Sequence, residues 1–314
     1  MAEPTRRLVP PEHYDMAGTL APLAMNRHDP CARVGGREAW WAARTPDGPA
    51  TLHLARDGGG LLATGYGPGA GWVLDRADAV AGLRDDVTAF AEVAERDPVV
   101  RRAWHLHPGL RLTASGRVFA QLVPTILTQK VTGLEASRAY LAVARRFGEP
   151  APGPLDGLRL PPDPAAIAAA PYWLFHPFGI EQRRAEALRR VAAVAPRLEA
   201  APDAATATAL LTSVPGIGIW TAAEVVRVAF GDPDAVTIGD YHLPNHVVYA
   251  LTGAVRAGKR DAEPGRISSA DARMLEVLEP FRPQRARVVQ VLLATGVSAP
   301  RFGPRMPVRS FARF

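Results

Sequence analysis

The chain has 314 residues, 47% of them hydrophobic, and no apolar run approaches the roughly 18 residues that a membrane helix needs. Its single cysteine, Cys31, excludes a disulfide framework and any four-thiolate zinc or iron–sulfur site. The formal charge of +6 points only weakly to an anionic partner, because Arg301, Arg305, Arg309 and Arg313 supply four of the six charges and lysine occurs only at 130 and 259.

Residues 1–105 differ in texture from the rest. Met1-Ala2-Glu3-Pro4 does not read as a signal peptide, so a cytoplasmic protein is expected. Residues 39–44, 50–55 and 60–66 read as short strands, separated by Thr45-Pro46-Asp47-Gly48 and by Arg56-Asp57-Gly58-Gly59-Gly60. Residues 77–95 then turn helical, giving a small antiparallel sheet with one or two helices.

From about residue 110 the pattern is helical. Residues 116–127 carry a broad apolar stripe of Val118, Phe119, Leu122, Val123, Ile126 and Leu127. Further helices are expected over 134–147, 164–170, 183–195 and 204–212, the last capped by Asp203. After a turn come 220–230, 242–252, 270–278 and 284–295. Pro300, Pro304 and Pro307 prevent the basic segment 298–314 from forming one continuous helix. That segment reads either as a disordered tail or as an arm that packs on the core or on phosphates.

The turn before residue 220 is the most specific feature. Val214-Pro215-Gly216-Ile217-Gly218-Ile219-Trp220-Thr221-Ala222 joins two helical stretches, and no side chain from 215 to 219 is polar. Its backbone amides are therefore the working groups, and amides at the start of a helix favour an anion such as a DNA phosphate. About twenty residues on, Gly239-Asp240-Tyr241 places one carboxylate just before the next helix. An aspartate there is an ordinary N-cap as well as a candidate for chemistry, and both roles are open. A phosphate clamp followed by one carboxylate points to an enzyme acting on nucleic acid.

These motifs resemble the helix-hairpin-helix DNA glycosylases of the HhH-GPD superfamily, in particular its alkylpurine branch, the enzymes similar to 3-methyladenine DNA glycosylase II. The motifs cover most of residues 105–297, whereas 1–105 agrees only in general layout. The resemblance implies an α+β N-terminal domain (1–105), a mostly all-α, two-lobed helix-hairpin-helix glycosylase core (106–297) and a basic tail (298–314). Gly216, Gly218 and Thr221 would grip double-stranded DNA, with Asp240 at the glycosidic bond of a flipped-out damaged base. A carboxylate there stabilises the oxocarbenium character of the sugar. Alkylated purines such as 3-methyladenine and 7-methylguanine are already cationic and leave easily.

Trp220 stands where lyase-competent relatives carry a nucleophilic lysine, which implies a monofunctional enzyme using water. In the alkylpurine branch this tryptophan lines the base pocket; packing beneath the hairpin is the alternative. Gln129 and Lys130 match the segment that enters the minor groove and fills the gap left by the base. Lys130 replaces the usual apolar wedge, so the stem of Lys130 or Val131 is left as the plug. Glu224 and Leu293 replace pocket aromatics; Glu224 either lines the pocket or pairs with Arg227 on the helix surface. Tyr241 is also placed at the base pocket. Tyr172, Trp173, Phe175 and Phe178 are further pocket or core aromatics, and Phe281-Arg282-Pro283 matches a family segment.

His242 and Asn245 share the face after Asp240 and are candidates for phosphate or water contact. The eight histidines show no metal spacing, so no cofactor and no catalytic metal are expected. The resemblance does leave room for a monovalent cation on hairpin carbonyls near Val214 and Ile217. A monomer at the bacterial nucleoid, with no membrane partner, is expected. Two other readings stand beside alkylpurine excision. One is the same scaffold acting on hypoxanthine, ethenoadenine or a bulky adduct, and the other is a non-catalytic binder of damaged DNA.

Overall fold

Alternating apolar residues and two tight turns build the N-terminal sheet. In the computed structural model, which describes residues 3–259 and 266–300, five antiparallel strands lie in the order β1-β5-β4-β3-β2. They are β1 (Thr5–Leu8), β2 (Ala32–Val34), β3 (Glu38–Thr45), β4 (Gly48–Asp57) and β5 (Gly60–Tyr66). Both central turns are two-residue loops, since Thr45 pairs with Gly48 and Asp57 with Gly60. One face buries Trp41, Leu52, Leu54 and Leu61 against α1 (Met16–Leu20), α2 (Ala70–Asp75) and α3 (Ala77–Val80). On the other face Trp40 stacks on His53 at 3.7 Å, beside Ala42 packed on Leu158 and Leu160.

The segment expected to be helical over 77–95 is interrupted. It forms α3 and then α4 (Thr88–Ala94), followed by α5 (Pro98–Leu106), which Asp97 caps by accepting from the amides of Val99 and Val100. Phe90, Val93 and Val100 pack not on the sheet but with α13 (Leu243–Thr252), α14 (Ser269–Leu278) and α15 (Arg285–Ala294), through Val247, Met274, Leu278 and Val288.

A second helical core forms around α6 (Val118–Leu127), whose stripe of Phe119, Leu122, Val123, Ile126 and Leu127 is buried as the periodicity predicts. Against it pack α7 (Gly133–Phe147), α8 (Pro164–Ala169), α9 (Gln182–Ala193), α10 (Ala195–Glu199), α11 (Ala204–Thr212) and α12 (Ile219–Ala229). Thr132 and Glu135 close a capping box at the start of α7. Asp203 caps α11 through the Thr206 amide, in line with the sequence. Phe175 is fully buried in this core, whereas Trp173 beside it is 62% exposed. No helix among the described residues is long and apolar enough to cross a membrane. Residues 301–314, with the four arginines of the tail, lie outside the described residues.

The extended stretch 111–116 stitches these parts together. Ala114 donates to Ala79 and the Thr113 hydroxyl to Val80, while the amides of Ser115 and Gly116 donate to Val228 and Ala229 at the end of α12. Asp85 binds the Leu112 amide and the guanidinium of Arg287, an ion pair whose side chains are 9% and 3% exposed. Removing one member of so buried a pair strands the other charge. We predict that Asp85→Ala lowers unfolding free energy by about 3–5 kcal/mol in urea denaturation; a loss within experimental error would show that water replaces the carboxylate.

Candidate active site

The hairpin between α11 and α12 is anchored by its apolar side chains and open at its backbone. Val214 and Ile217 are buried, and the Ile217 amide donates to the Val214 carbonyl at 3.0 Å. Pro215, Gly216 and Gly218 are exposed. Gly216 has φ +99, in the region that favours glycine, and a Cβ there would lie 3.1 Å from the Cβ of Ala187 on α9. Gly218 is different. Its φ is −100 and nothing lies within 4 Å of a Cβ built on it. It stands at the N-cap of α12 with no side-chain capping bond, so no side chain occupies the first amides of the helix.

Two neighbouring elements brace this hairpin. Gln129 donates from Nε2 to the Thr221 hydroxyl at 2.9 Å and approaches the Gly216 carbonyl at 3.4 Å. Thr221 is itself buried and its hydroxyl is taken by Gln129, so Gly218 and Ile219 are the exposed part of the clamp. Lys130, exposed at the tip of the same loop, has φ +57. The buried guanidinium of Arg184 donates to the Leu127 carbonyl at 2.9 Å and fixes the end of α6 from which the loop departs.

Asp240 sits in the turn before α13. Its Oδ1 accepts from the amides of His242 and Leu243, both at 2.7 Å, so it does hold the start of that helix. Among the described residues nothing donates to its Oδ2. The preceding Gly239, with φ +92, donates its amide to Asp271 of α14 at 2.8 Å. Asp271 is buried and also accepts from the Ser268 hydroxyl at 2.6 Å. The pattern Ser268-x-x-Asp271 is legible as a helix cap, but its grip on Gly239 spans 32 positions of the chain and carries no local signal.

Glu224 faces Thr237 and Arg227. The Thr237 hydroxyl donates to Oε1 at 2.6 Å and Arg227 to Oε2 at 3.0 Å. Of the two roles open to Glu224 in the sequence, the pair with Arg227 is present, and Thr237 takes the other oxygen. This bond joins α12 to the segment that leads into Asp240. Burial pushes the Glu224 carboxyl up, but Arg227 and the Thr237 hydrogen bond outweigh it, and the group lies below the ordinary Glu value.

Trp220 is half-buried and belongs to none of the apolar cores. Tyr241 is 59% exposed and meets the His242 ring edge-on at 4.7 Å. Asn245 accepts from the Ala257 amide, and His246 Nδ1 accepts from the Ala299 amide. Leu293 is exposed, while Phe281 is buried in the core of α13–α15. Arg282 and Arg285 both pair with Asp234, fastening the loop after α12. No hydrogen bond or ring contact ties Asp240 to Trp220 or Lys130. No group of three His, Cys, Asp or Glu side chains suited to a metal occurs among the described residues.

By sequence the chain matches no protein-family model, and no curated protein is similar to it. Its fold is that of helix-hairpin-helix DNA glycosylases. It superposes on a 3-methyladenine DNA glycosylase from Archaeoglobus fulgidus with a TM-score of 0.69 and 19% identity, over 92% of this chain and 97% of the other. It superposes on the 8-oxoguanine glycosylase/lyase of Clostridium acetobutylicum in its apo form with a TM-score of 0.68 and 12% identity, over 93% and 96%. The same Clostridium enzyme bound to double-stranded DNA gives 0.64 at 10% identity, over 91% and 93%.

The two hairpin glycines separate by their geometry. Gly216→Ala is expected to cost roughly 1–3 kcal/mol of stability, because the new Cβ meets both a positive φ and Ala187. Gly218→Ala is expected to leave thermal unfolding unchanged, and equal losses for both would refute this division. Glu224→Gln tests the second brace. Because the folded value lies below the ordinary 4.5, the carboxylate's stabilisation is complete above that value and fades as pH falls through the folded one. The variant is therefore less stable than the parent in urea at pH 7, with the gap closing in acid; a gap independent of pH would contradict it.

Proposed function

We propose that this protein is a monofunctional DNA glycosylase that hydrolyses the N-glycosidic bond of alkylated purines, chiefly 3-methyladenine and 7-methylguanine, in double-stranded DNA. One observation carries the reading: Asp240 has one carboxylate oxygen locked by two amides and the other open, on a turn held from behind by Asp271. A group needed only as a helix cap has no use for that second brace.

The hairpin amides at the start of α12 bind a DNA phosphate, with Gly218 allowing the backbone to approach closely. Gln129 holds the neighbouring loop against the hairpin, and the stem of Lys130 fills the space of the flipped nucleotide. The open oxygen of Asp240 faces C1′ of the sugar. As the C1′–N bond breaks, the base leaves with the bonding electrons and the carboxylate stabilises the positive charge on the sugar. Water then adds to C1′ and releases a proton, leaving an abasic site. Trp220, free of the apolar cores, stacks on the cationic base, where cation–π attraction favours the alkylated form. Tyr241 flanks the same pocket.

The functional division sets the sheet with α1–α3 apart from a two-lobed helical core that α4 and α5 join, with the DNA cleft between its lobes. Absence of lyase chemistry rests on Trp220 at the position of the nucleophilic lysine in lyases. A second reading keeps the scaffold and changes the lesion. It is favoured by Glu224, which is engaged by Thr237 and Arg227, and by aliphatic Leu293, which together leave the pocket poor in aromatics. Release rates from duplexes carrying 3-methyladenine, hypoxanthine or ethenoadenine separate the two.

Asp240→Asn is expected to bind lesion duplex within a few-fold of the parent while base release falls by at least about 100-fold, by analogy with loss of one preorganised electrostatic group. With the parent protein, strand breaks are expected only after alkali. Wild-type release by the variant would overturn the assignment of Asp240, and breaks without alkali would overturn the water mechanism.

A further inference from the structure

We propose that the concavity between β2, the loop before it and the C-terminal half of α7 is a second phosphate-binding site, separate from the hairpin. Its volume is about 380 Å³, and its wall includes His28, Arg33, Arg145 and Arg159 together with Pro30, Leu141 and Gly157. Three arginines and a histidine thus line one concavity whose wall contains no carboxylate.

The way each cation is held favours an incoming anion. Arg159 is fixed by its own amide bond to the Pro30 carbonyl at 2.8 Å, and its guanidinium donates to the carbonyls of Ala144, Arg145 and Gly148 at the end of α7. It is rigid, yet its charge meets only carbonyl dipoles. Arg33 donates to the Ala32 carbonyl at 2.9 Å, and neither Arg33 nor Arg145 forms an ion pair among the described residues. His28 accepts through Nε2 from Arg27 at 2.9 Å, which leaves its Nδ1–H as a donor. Asp29, near enough to feel the charge of Arg33, is buried and occupied by the amides of Met25, Cys31 and Ala32.

A concave surface lined by arginines, with His28 and Arg145 exposed on it and no carboxylate in its wall, suits a group with several anionic oxygens. The volume lies in the range of ligand pockets and accommodates more than one phosphate. Arg145 lies twelve residues beyond Gly133, so the cavity is about 18 Å along α7 from the loop bearing Gln129 and Lys130. That distance is too great for the phosphate held at the hairpin. The phosphate therefore comes either from flanking DNA backbone or from a free polyphosphate-bearing molecule.

Two probes distinguish these sources in the full chain. Inorganic pyrophosphate is titrated by calorimetry, and undamaged duplexes of about 10 and about 20 base pairs, one and two helical turns, are titrated by fluorescence anisotropy. The site is tested by Arg145→Gln, whose side chain makes no internal bond, and by the pair Arg33→Gln and Arg145→Gln. Arg102→Gln with Arg197→Gln removes the same charge from α5 and α10 and serves as control. A free ligand predicts that the site pair loses pyrophosphate affinity by at least about tenfold while the control does not. A DNA source predicts that the site pair loses the advantage of the longer duplex and lowers the salt slope by about two, again unlike the control. The proposal fails if the site pair behaves like the control with both probes, or if the parent neither binds pyrophosphate nor favours the longer duplex. Neither probe involves base release, so this outcome is independent of the test of Asp240.

Discussion

The functional end of this protein depends on a helix that starts without a cap. Several other helices begin with a side chain bonded to their first amides: Asp15, Asp97, Thr132, Asp163, Asp203 and Ser268 each serve in this way. α12 begins with Gly218 and has none. Omitting a cap costs about 0.5–2 kcal/mol, and the helix tolerates it because its body is buried on opposite sides. Val225, Val226 and Ala229 pack in the core of α6, while Val228 reaches the core beneath the sheet. Packing supplies the stability that a cap otherwise gives, and no side chain takes the amides that an anion would use.

The acids around Asp240 show how the surrounding structure isolates one carboxylate oxygen. Asp271 is divided between Gly239 and Ser268, Glu224 between Thr237 and Arg227, and Asp234 between the two ends of Arg285. Each ties two segments together, and each has both oxygens engaged. Asp240 alone among them keeps an oxygen without a donor among the described residues. Capping and chemistry are thus compatible in one side chain, because the cap uses only Oδ1. The same economy holds at Thr221, whose buried hydroxyl braces Gln129 while the neighbouring backbone stays open.

Local signals were legible where the physics is local. The strands at 39–44, 50–55 and 60–66 appear as β3, β4 and β5 because two-residue turns and alternation specify them within a few residues. The helices of 204–212 and 219–229 lie within a residue or two of the expected bounds, since capping and apolar period suffice. β1 escaped notice because it has one buried residue, Leu8, and exists by pairing with β5 over fifty residues away. The break in 77–95 likewise has a distant cause: Asp85 is drawn out of helix by Arg287 and the Leu112 amide. Helix 98–106 joins α13–α15 instead of the sheet that precedes it, and its own sequence does not reveal that choice.

By itself the sequence determined the hairpin, the carboxylate after it, the order of most helices and the resemblance to glycosylases. All of these are set by backbone propensity, apolar period and residue identity over short spans. Only the tertiary structure decided which oxygen of Asp240 stays open, that Glu224 is shared between Thr237 and Arg227, that Asp271 stands behind Gly239, and that four basic residues line one concavity beside α7. Those outcomes rest on hydrogen bonds and charge contacts between groups far apart in the chain. Their geometry comes into being only when the apolar cores bring the helices together.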